Sequence, residues 1–137
     1  MRTSNFEKSG ADPKAVAICR GLPEGWMGRW YPAVAPTWEM INGINEPGGY
    51  EAFEKGYIKI LEGLDPKRVW EDLGPDAVLL CYSPPNVKCH RRLLAEWLEK
   101  ALGVEITEVG LRRDEVLSFA EAPTKQERDR KLKEQSQ

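Results

Sequence analysis

The sequence predicts an α/β fold: a single layered domain with a mostly parallel sheet, flanking helices and a Rossmann-like arrangement. Two observations lead to this prediction. Short segments of almost continuous apolar character are typical of strands covered on both faces, as in parallel sheets. They alternate with longer segments in which apolar residues recur at helical spacing. This alternation implies right-handed βαβ crossovers.

Four short segments are predicted to be strands, and the second and third of them are apolar throughout. Residues 2–6 form the first, residues 15–19 the second, residues 77–81 the third, and residues 104–109 are a candidate fourth. The third is the clearest, because Gly74-Pro75 and Pro84-Pro85 bound it on both sides. Glycine and proline interrupt regular structure, so they set the limits of such a strand.

Three segments with helical spacing predict the helices that connect the strands. The first begins near Tyr50, and its apolar face consists of Phe53, Tyr57, Ile60, Leu61 and Leu64. In the second, Asp65 is the N-cap, Pro66 occupies the first turn and Gly74 stops the helix. The third follows Cys89, ends before Gly103, and presents Leu93, Leu94, Trp97, Leu98 and Ala101.

Two segments do not follow this pattern. Residues 21–49 are rich in glycine, proline and aromatic residues, and this segment is longer than a loop that only connects two elements of a compact domain. We interpret them as an aromatic loop that could act as a lid. Residues 120–137 alternate charges of both signs around Leu132, which is typical of a solvated helix or a frayed tail. The predicted organisation is one α/β domain over residues 1–119, followed by a charged C-terminal tail.

Composition limits the classes of function. The chain has 137 residues and a formal net charge of −2, which disfavours a domain that holds duplex DNA by general electrostatics. It lacks an apolar run of the roughly 18 residues that a membrane span needs, and its first residues do not resemble a signal peptide. Its three cysteines cannot all pair within one chain, so reduced thiols and a cytoplasmic location are expected. The sequence does not specify an oligomeric state.

The most informative local feature is the sequence Cys89-His90-Arg91-Arg92 at a strand-to-helix junction. A thiol at a helix N-terminus, beside cations, has a lowered pKa, so Cys89 is a candidate nucleophile. A small buried hydrophobe is the alternative for this cysteine. His90 is the only histidine and is a candidate acid or base, or else a group that holds the loop closed.

The arginines predict an anion site. Arg20 follows the second strand, and Arg91 and Arg92 open the helix after the third, so all three are expected at the carboxyl edge of the sheet. Guanidinium groups and a helix N-terminus suit phosphate or carboxylate, although a surface ion pair with Glu96 or Asp76 is the alternative. The aromatic loop would bring Arg29 to this edge, and Trp30 and Trp38 would stack on a planar ligand. Cys81 and Ser83 complete the predicted ligand-binding set.

No metal and no cofactor are predicted. Cys81, Cys89 and His90 offer three soft ligands, and Cys19 could supply a fourth, but their spacing matches no paired-cysteine zinc motif. The glycine fingerprints of phosphate-binding and dinucleotide-binding loops are missing from the sequence.

Several segments resemble the family called domain of unknown function 488. The resemblance covers residues 2 to about 109. It is carried mainly by Leu79-Leu80-Cys81, Cys89-His90-Arg91 and Leu94-Ala95-Glu96-Trp97-Leu98. Further similarity lies in Thr3-Ser4-Asn5-Phe6, Ala17-Ile18-Cys19-Arg20-Gly21-Leu22-Pro23 and Tyr31-Pro32-Ala33-Val34-Ala35-Pro36-Thr37-Trp38. It implies a Rossmann-like α/β fold. It also implies that Arg20, Cys89, His90 and Arg91 are signature positions.

Two departures from the family pattern bear on catalysis. Many members carry an acidic residue where this chain has Ser83, and their second strand often carries one where this chain has Ile18. The predicted function is therefore the binding, or the binding and processing, of an anionic ligand such as a nucleotide or a nucleic-acid end. The alternatives are a non-catalytic binding or regulatory module and a thiol-dependent redox or transfer protein that uses Cys89.

Overall fold

The computed structural model describes residues 1–135, which form a sheet of five parallel strands. The strands are β1 (Arg2–Asn5), β2 (Ala15–Ala17), β3 (Arg29–Trp30), β4 (Val78–Cys81) and β5 (Thr107–Glu108). Their order across the sheet is β3-β2-β4-β1-β5. The α/β prediction is confirmed, and all four segments predicted to be strands contain one. The pairing of β3 with β2 was not predicted, because Arg29 and Trp30 are both exposed and form no apolar run.

The three helices predicted from apolar periodicity are all present, and the structure adds others. The helices are α1 (Phe6–Ser9), α2 (Trp38–Asn42), α3 (Gly49–Glu62), α4 (Pro66–Leu73), α5 (His90–Leu102) and α6 (Lys125–Gln135), with 3-10 turns at Pro32–Val34 and Arg113–Glu115. The Asp65 side chain accepts a hydrogen bond from the Lys67 N–H, as expected of an N-cap. Gly103 ends α5 with φ of 67°, a left-handed conformation that favours glycine.

The two faces of the sheet carry cores of different size. Helices α3, α4 and α5 cover the face that contains Val16 and Leu79. On the opposite face, Val78 and Leu80 belong to a smaller apolar cluster that includes Phe6. All four residues of β4 are buried, as expected for a central parallel strand. The sheet therefore holds the carboxyl end of β4 rigidly between two neighbours.

The register brings several strand ends to one edge. Asn5 lies opposite Cys81, and Ala17 lies opposite Leu80. The chain continues from β2 into Ile18, Cys19 and Arg20, beside the loop that follows β4. Ligand sites in open parallel sheets are found at this edge.

The aromatic loop and the charged tail contain more regular structure than their sequences suggest. Residues 21–49 include β3, the first 3-10 turn and α2, and the later part of this segment reaches the carboxyl edge. Helix α6 has no buried residue, which agrees with a solvated helix. Residues 136–137 of the predicted tail lie outside the described residues. No helix in residues 1–135 combines the length and apolar character needed to cross a membrane.

A buried hydroxyl connects the aromatic loop to α3. The Tyr57 hydroxyl donates to the Val34 carbonyl oxygen at 2.6 Å, and Tyr57 is fully buried. Replacing Tyr57 with phenylalanine leaves this carbonyl without its donor, so we expect the free energy of unfolding to fall by about 1–2 kcal/mol. Urea denaturation measures the change.

Tyr82 provides a matched control for that variant. Its hydroxyl donates to the Gly21 carbonyl oxygen at 2.7 Å, but 57% of the residue is exposed, so water can replace the donor. Tyr82→Phe is expected to change stability by less than about 0.5 kcal/mol. Equal losses in the two variants would show that burial of the Tyr57 hydrogen bond contributes nothing.

Candidate functional site

A crevice of about 330 Å³ opens at the carboxyl edge of the sheet, between the ends of β2 and β4 and the N-terminus of α5. Its size is at the lower end of the range for small-molecule sites, and most of its surface is apolar. The lining residues are Cys19, Arg20, Gly21, Leu22, Pro36, Trp38, Ile41, Ile44, Tyr50, Phe53, Cys81, Tyr82, Ser83, Lys88, Cys89, His90 and Phe119. The predicted site residues Arg20, Trp38, Cys81, Ser83, Cys89 and His90 are therefore together.

The charge of this crevice is positive. Arg20 and Lys88 line it, and none of its lining residues, all within the described chain, is an aspartate or a glutamate. Ile18 is fully buried and Ser83 lines the crevice, so neither of these two positions adds a carboxylate. A partly enclosed site with two cations and no carboxylate favours an anionic ligand.

Both cations keep donors available. Arg20 uses Nε to donate to the Pro36 carbonyl oxygen at 3.0 Å and one Nη2 N–H to donate to Ala35 at 3.3 Å. Its other three N–H groups have no partner among residues 1–135, so they can bind a ligand. Lys88 donates to the carbonyl oxygens of Phe119 and Ala120 at 2.7 and 3.4 Å. This leaves one of its three N–H groups.

The aromatic wall of the crevice comes from the segment after the second strand. Trp38 begins α2 and is 56% exposed, so much of its side chain is accessible. Its Cη2 atom would lie only 2.9 Å from a Cβ atom added at Gly21. A larger residue at position 21 would displace the indole. Glycine at this position therefore allows the close approach of Trp38 to the backbone.

Two cysteines and the histidine form the floor of the crevice. Cys81 is the last residue of β4, Cys89 is the N-cap residue of α5, and His90 is its first residue. The structure joins Cys81 and Cys89 as a disulfide with a Cα separation of 7.6 Å, whereas the sequence favours reduced thiols. Disulfides usually span about 4.4–6.8 Å between Cα atoms. Cys19 is a free thiol, and burial raises its pKa to about 11, so it is not a reactive thiolate.

The orientation of His90 is fixed by a backbone hydrogen bond. Its Nε2 lies 2.8 Å from the Ile18 carbonyl oxygen, which can only accept, so Nε2 carries the proton. Nδ1 then holds a lone pair and lies 3.9 Å from the Cys89 Sγ. Burial lowers the pKa of His90 to about 4. A base this weak is poorly matched to proton transfer near neutral pH, so the acid–base role of His90 stays a prediction that its lowered pKa does not favour.

Arg91 does not face the crevice. Its guanidinium is 1% exposed and pairs with Glu108, at 3.1 Å from Nε and 2.7 Å from Nη2. The remaining N–H groups donate to the carbonyl oxygens of Ser83 and Pro84 at 2.8 and 3.2 Å and to the Cys81 Sγ at 3.0 Å. All five donors are used within the protein, so Arg91 holds the loop between β4 and α5 in position.

The other predicted ligand-binding residues also lie away from the crevice lining. Arg92 is buried and donates to Thr3 and Ile106. Arg29 donates to the carbonyl oxygens of Asp72 and Leu73 and lines a separate depression near the amino ends of β2 and β4. The Trp30 indole donates to the Cys19 carbonyl oxygen at 2.9 Å. The aromatic loop therefore contributes Trp38 to the crevice, while Arg29 stays on the opposite edge.

Sequence reasoning missed two charged residues. Lys88 reaches the crevice because Phe119 and Ala120 fold back over the loop before α5. The adjacent Cys-His-Arg sequence was a signal that this loop should be searched for cations. Glu108 is 3% exposed and forms the buried ion pair with Arg91. No local signal marks it, since a glutamate on a two-residue strand is ordinary in sequence.

One comparison with known proteins identifies a family. The family model DUF488-N3a, described as the Active DUF488-N3 subclade, matches residues 10–102, which is more than half of the chain. The matched region includes the ends of β2 and β4 and the Cys-His-Arg sequence. Comparisons with curated proteins and with solved structures gave no match. The chain therefore belongs to the DUF488 family.

Proposed function

We propose that the protein binds a small anionic ligand with a planar apolar part, such as a nucleotide or a nucleic-acid end, in the crevice at the carboxyl edge. The observation that carries this proposal is the combination of Arg20 and Lys88 with an apolar lining that contains no carboxylate. The two cations hold the anionic group. Trp38 stacks on the planar part, since base–aromatic stacking tolerates any base.

The charged groups have different roles in this proposal. Arg20 retains three N–H donors, so it is the principal contact for a phosphate or carboxylate. Arg91 acts indirectly, because its pairing with Glu108 and the loop carbonyls holds Cys89 and His90 at the crevice floor. The low net charge of the chain suits a small ligand better than a long duplex, whose binding needs many phosphate contacts.

The test is a calorimetric titration with adenosine monophosphate, with adenosine as the uncharged comparison. We expect the monophosphate to bind more tightly than adenosine. Arg20→Ala should weaken monophosphate binding by about 1.5–3 kcal/mol, or roughly 10- to 150-fold, because a charged hydrogen bond is lost. The same variant should leave adenosine binding almost unchanged.

Arg29→Ala is the matched control. Arg29 also donates to two backbone carbonyl oxygens, but it lies at the opposite edge of the sheet. Its replacement should leave monophosphate binding within twofold of the wild type. Equal binding of adenosine and its monophosphate, or equal weakening in the two arginine variants, would contradict the proposed anion site. Binding of an oligonucleotide only when its end is phosphorylated would identify a nucleic-acid end as the ligand.

A thiol-dependent function is the second candidate, and the pairing of Cys81 with Cys89 is the observation that favours it. In such a function, an external dithiol would reduce the disulfide by two electrons, yielding two protein thiols and an oxidised dithiol. If the Cys89→Ser variant binds adenosine monophosphate as tightly as the wild type does, the result would instead favour a binding module without thiol chemistry.

A further inference from the structure

We propose that, in the reduced protein, Cys81, Cys89 and His90 form a binding site for Zn²⁺, with two thiolates and one imidazole nitrogen as ligands and a fourth position open to the crevice. The three ligand atoms lie within 4.8 Å of one another, and all three residues are buried. This inference does not depend on the anion-binding proposal, because it uses the floor of the crevice and not its two cations.

One ligand distance already matches a tetrahedral zinc site, and reduction of the disulfide frees the two sulfur atoms to move apart to the separation that zinc needs. With Zn–S near 2.3 Å and Zn–N near 2.0–2.1 Å, two sulfur ligands lie about 3.8 Å apart, and a sulfur and a nitrogen about 3.6 Å apart. The Cys89 Sγ and the His90 Nδ1 are already 3.9 Å apart. The Cα atoms of Cys81 and Cys89 are 7.6 Å apart, a wider span than a disulfide usually needs. An ion between the two sulfur atoms suits this span.

The imidazole is oriented as a metal ligand. Metal-bound histidines commonly donate their other ring N–H to a carbonyl or a carboxylate, which fixes the tautomer and the ring direction. His90 does this through Nε2 and the Ile18 carbonyl oxygen, and the Tyr57 ring packs against the imidazole in a T-shaped arrangement. Nδ1 is thereby held unprotonated toward the two sulfur atoms, with no closer partner among the described residues.

Two features stabilise thiolates at this position. Arg91 Nη1 lies 3.0 Å from the Cys81 Sγ and 3.8 Å from the Cys89 Sγ. Cys89 is also the N-cap residue of α5, at the end of the helix where its dipole favours negative charge. Once an external dithiol has reduced the disulfide, binding of one Zn²⁺ displaces the protons of the two thiols. No electron transfer accompanies the binding step.

The three ligands indicate which metal binds, and they leave one coordination position of that metal free. Two thiolates and one imidazole suit zinc rather than magnesium or calcium, which prefer oxygen ligands. Zinc with three protein ligands holds a water or a ligand atom in the fourth position. Here that position faces the crevice, because Cys81, Cys89 and His90 all line it.

The test is zinc binding by the full chain. The protein is first treated with a dithiol and a chelator, and both are then removed in the absence of oxygen. We expect one zinc per chain in competition with a zinc indicator, with release of protons. Cys89→Ser and His90→Gln should each lower the affinity at least 100-fold. Cys19→Ser is the matched control, since Cys19 also lines the crevice but its Sγ is directed to the Gly21 carbonyl oxygen at 3.1 Å. Its affinity should change less than threefold.

Cobalt(II) provides a second measurement that does not require the variants to fold. The wild-type protein should acquire a thiolate-to-cobalt charge-transfer band and the intense visible bands of tetrahedral cobalt, and both should saturate at one equivalent. No zinc binding by the reduced wild type, octahedral cobalt bands without charge transfer, or an equal loss of affinity in Cys19→Ser and Cys89→Ser would each overturn the proposal. A Cys81–Cys89 disulfide that survives excess dithiol would overturn it as well.

Discussion

Replacing Arg91 with alanine is expected to lower the free energy of unfolding by about 3–5 kcal/mol. The variant leaves Glu108 as a buried carboxylate whose remaining side-chain partner among residues 1–135 is the Thr3 hydroxyl, at 2.5 Å. It also removes the donors to the carbonyl oxygens of Ser83 and Pro84. Urea denaturation of the variant and the wild type at neutral pH measures the loss.

An exposed ion pair provides the control for this prediction. Arg68 pairs with Asp72 at 2.9 Å on α4, but its side chain is 73% exposed. Arg68→Ala should therefore cost no more than about 1 kcal/mol. If Arg91→Ala costs as little as Arg68→Ala and also weakens binding of adenosine monophosphate, then Arg91 contacts the ligand directly. In that case the structural role assigned to Arg91 is wrong.

The stability of the metal-free protein is expected to fall as the pH is lowered from about 6.5 to about 4. Burial lowers the pKa of His90 from 6.5 to about 4 in the folded state. Between these values the unfolded chain binds a proton at His90 and the folded protein does not, so acid favours unfolding. The difference between the two pKa values corresponds to a loss of stability of about 3 kcal/mol. This loss is complete below pH 4 and is absent above pH 6.5. Urea denaturation at a series of pH values, with a chelator present, measures it.

His90→Gln separates this effect from the titration of carboxylates. A glutamine amide can donate to the Ile18 carbonyl oxygen in place of Nε2, but it does not titrate. The difference in stability between wild type and variant should therefore shrink or reverse as the pH falls through this window. A difference that stays constant from pH 7 to pH 4 would mean that His90 has the same pKa in the folded and unfolded states.

The regular elements were predictable because their signals are local. The strand 78–81 was identified by a short apolar run between breaking residues, and α4 by an N-cap, a first-turn proline and a terminal glycine. The edge strand β3 and helix α2 were not predicted. Their residues are mostly exposed, so burial leaves no apolar pattern in the sequence there.

The location of the candidate site was also predictable, but the direction of its side chains was not. The position of Arg20 and Cys89 at the carboxyl edge follows from the alternation of strands and helices. Arg91 and Lys88 show why the direction of a side chain could not be predicted. Whether a guanidinium near a helix N-terminus reaches solvent depends on the groups around it. Arg91 forms a buried ion pair with Glu108 of β5, which lies on the far side of β1 from β4. Lys88 is directed by carbonyl groups about thirty residues later in the chain.

The sequence by itself determined the α/β fold, the three main helices and the strand-to-helix junction that contains the only histidine. These follow from apolar periodicity, caps and breakers, which act between residues close in the chain. Only the tertiary structure decided that Arg91 supports the loop, that Lys88 faces the crevice, and that Cys81, Cys89 and His90 converge on its floor. The physical reason is that burial and hydrogen bonding are satisfied by whichever groups the fold brings near, independent of their separation in sequence.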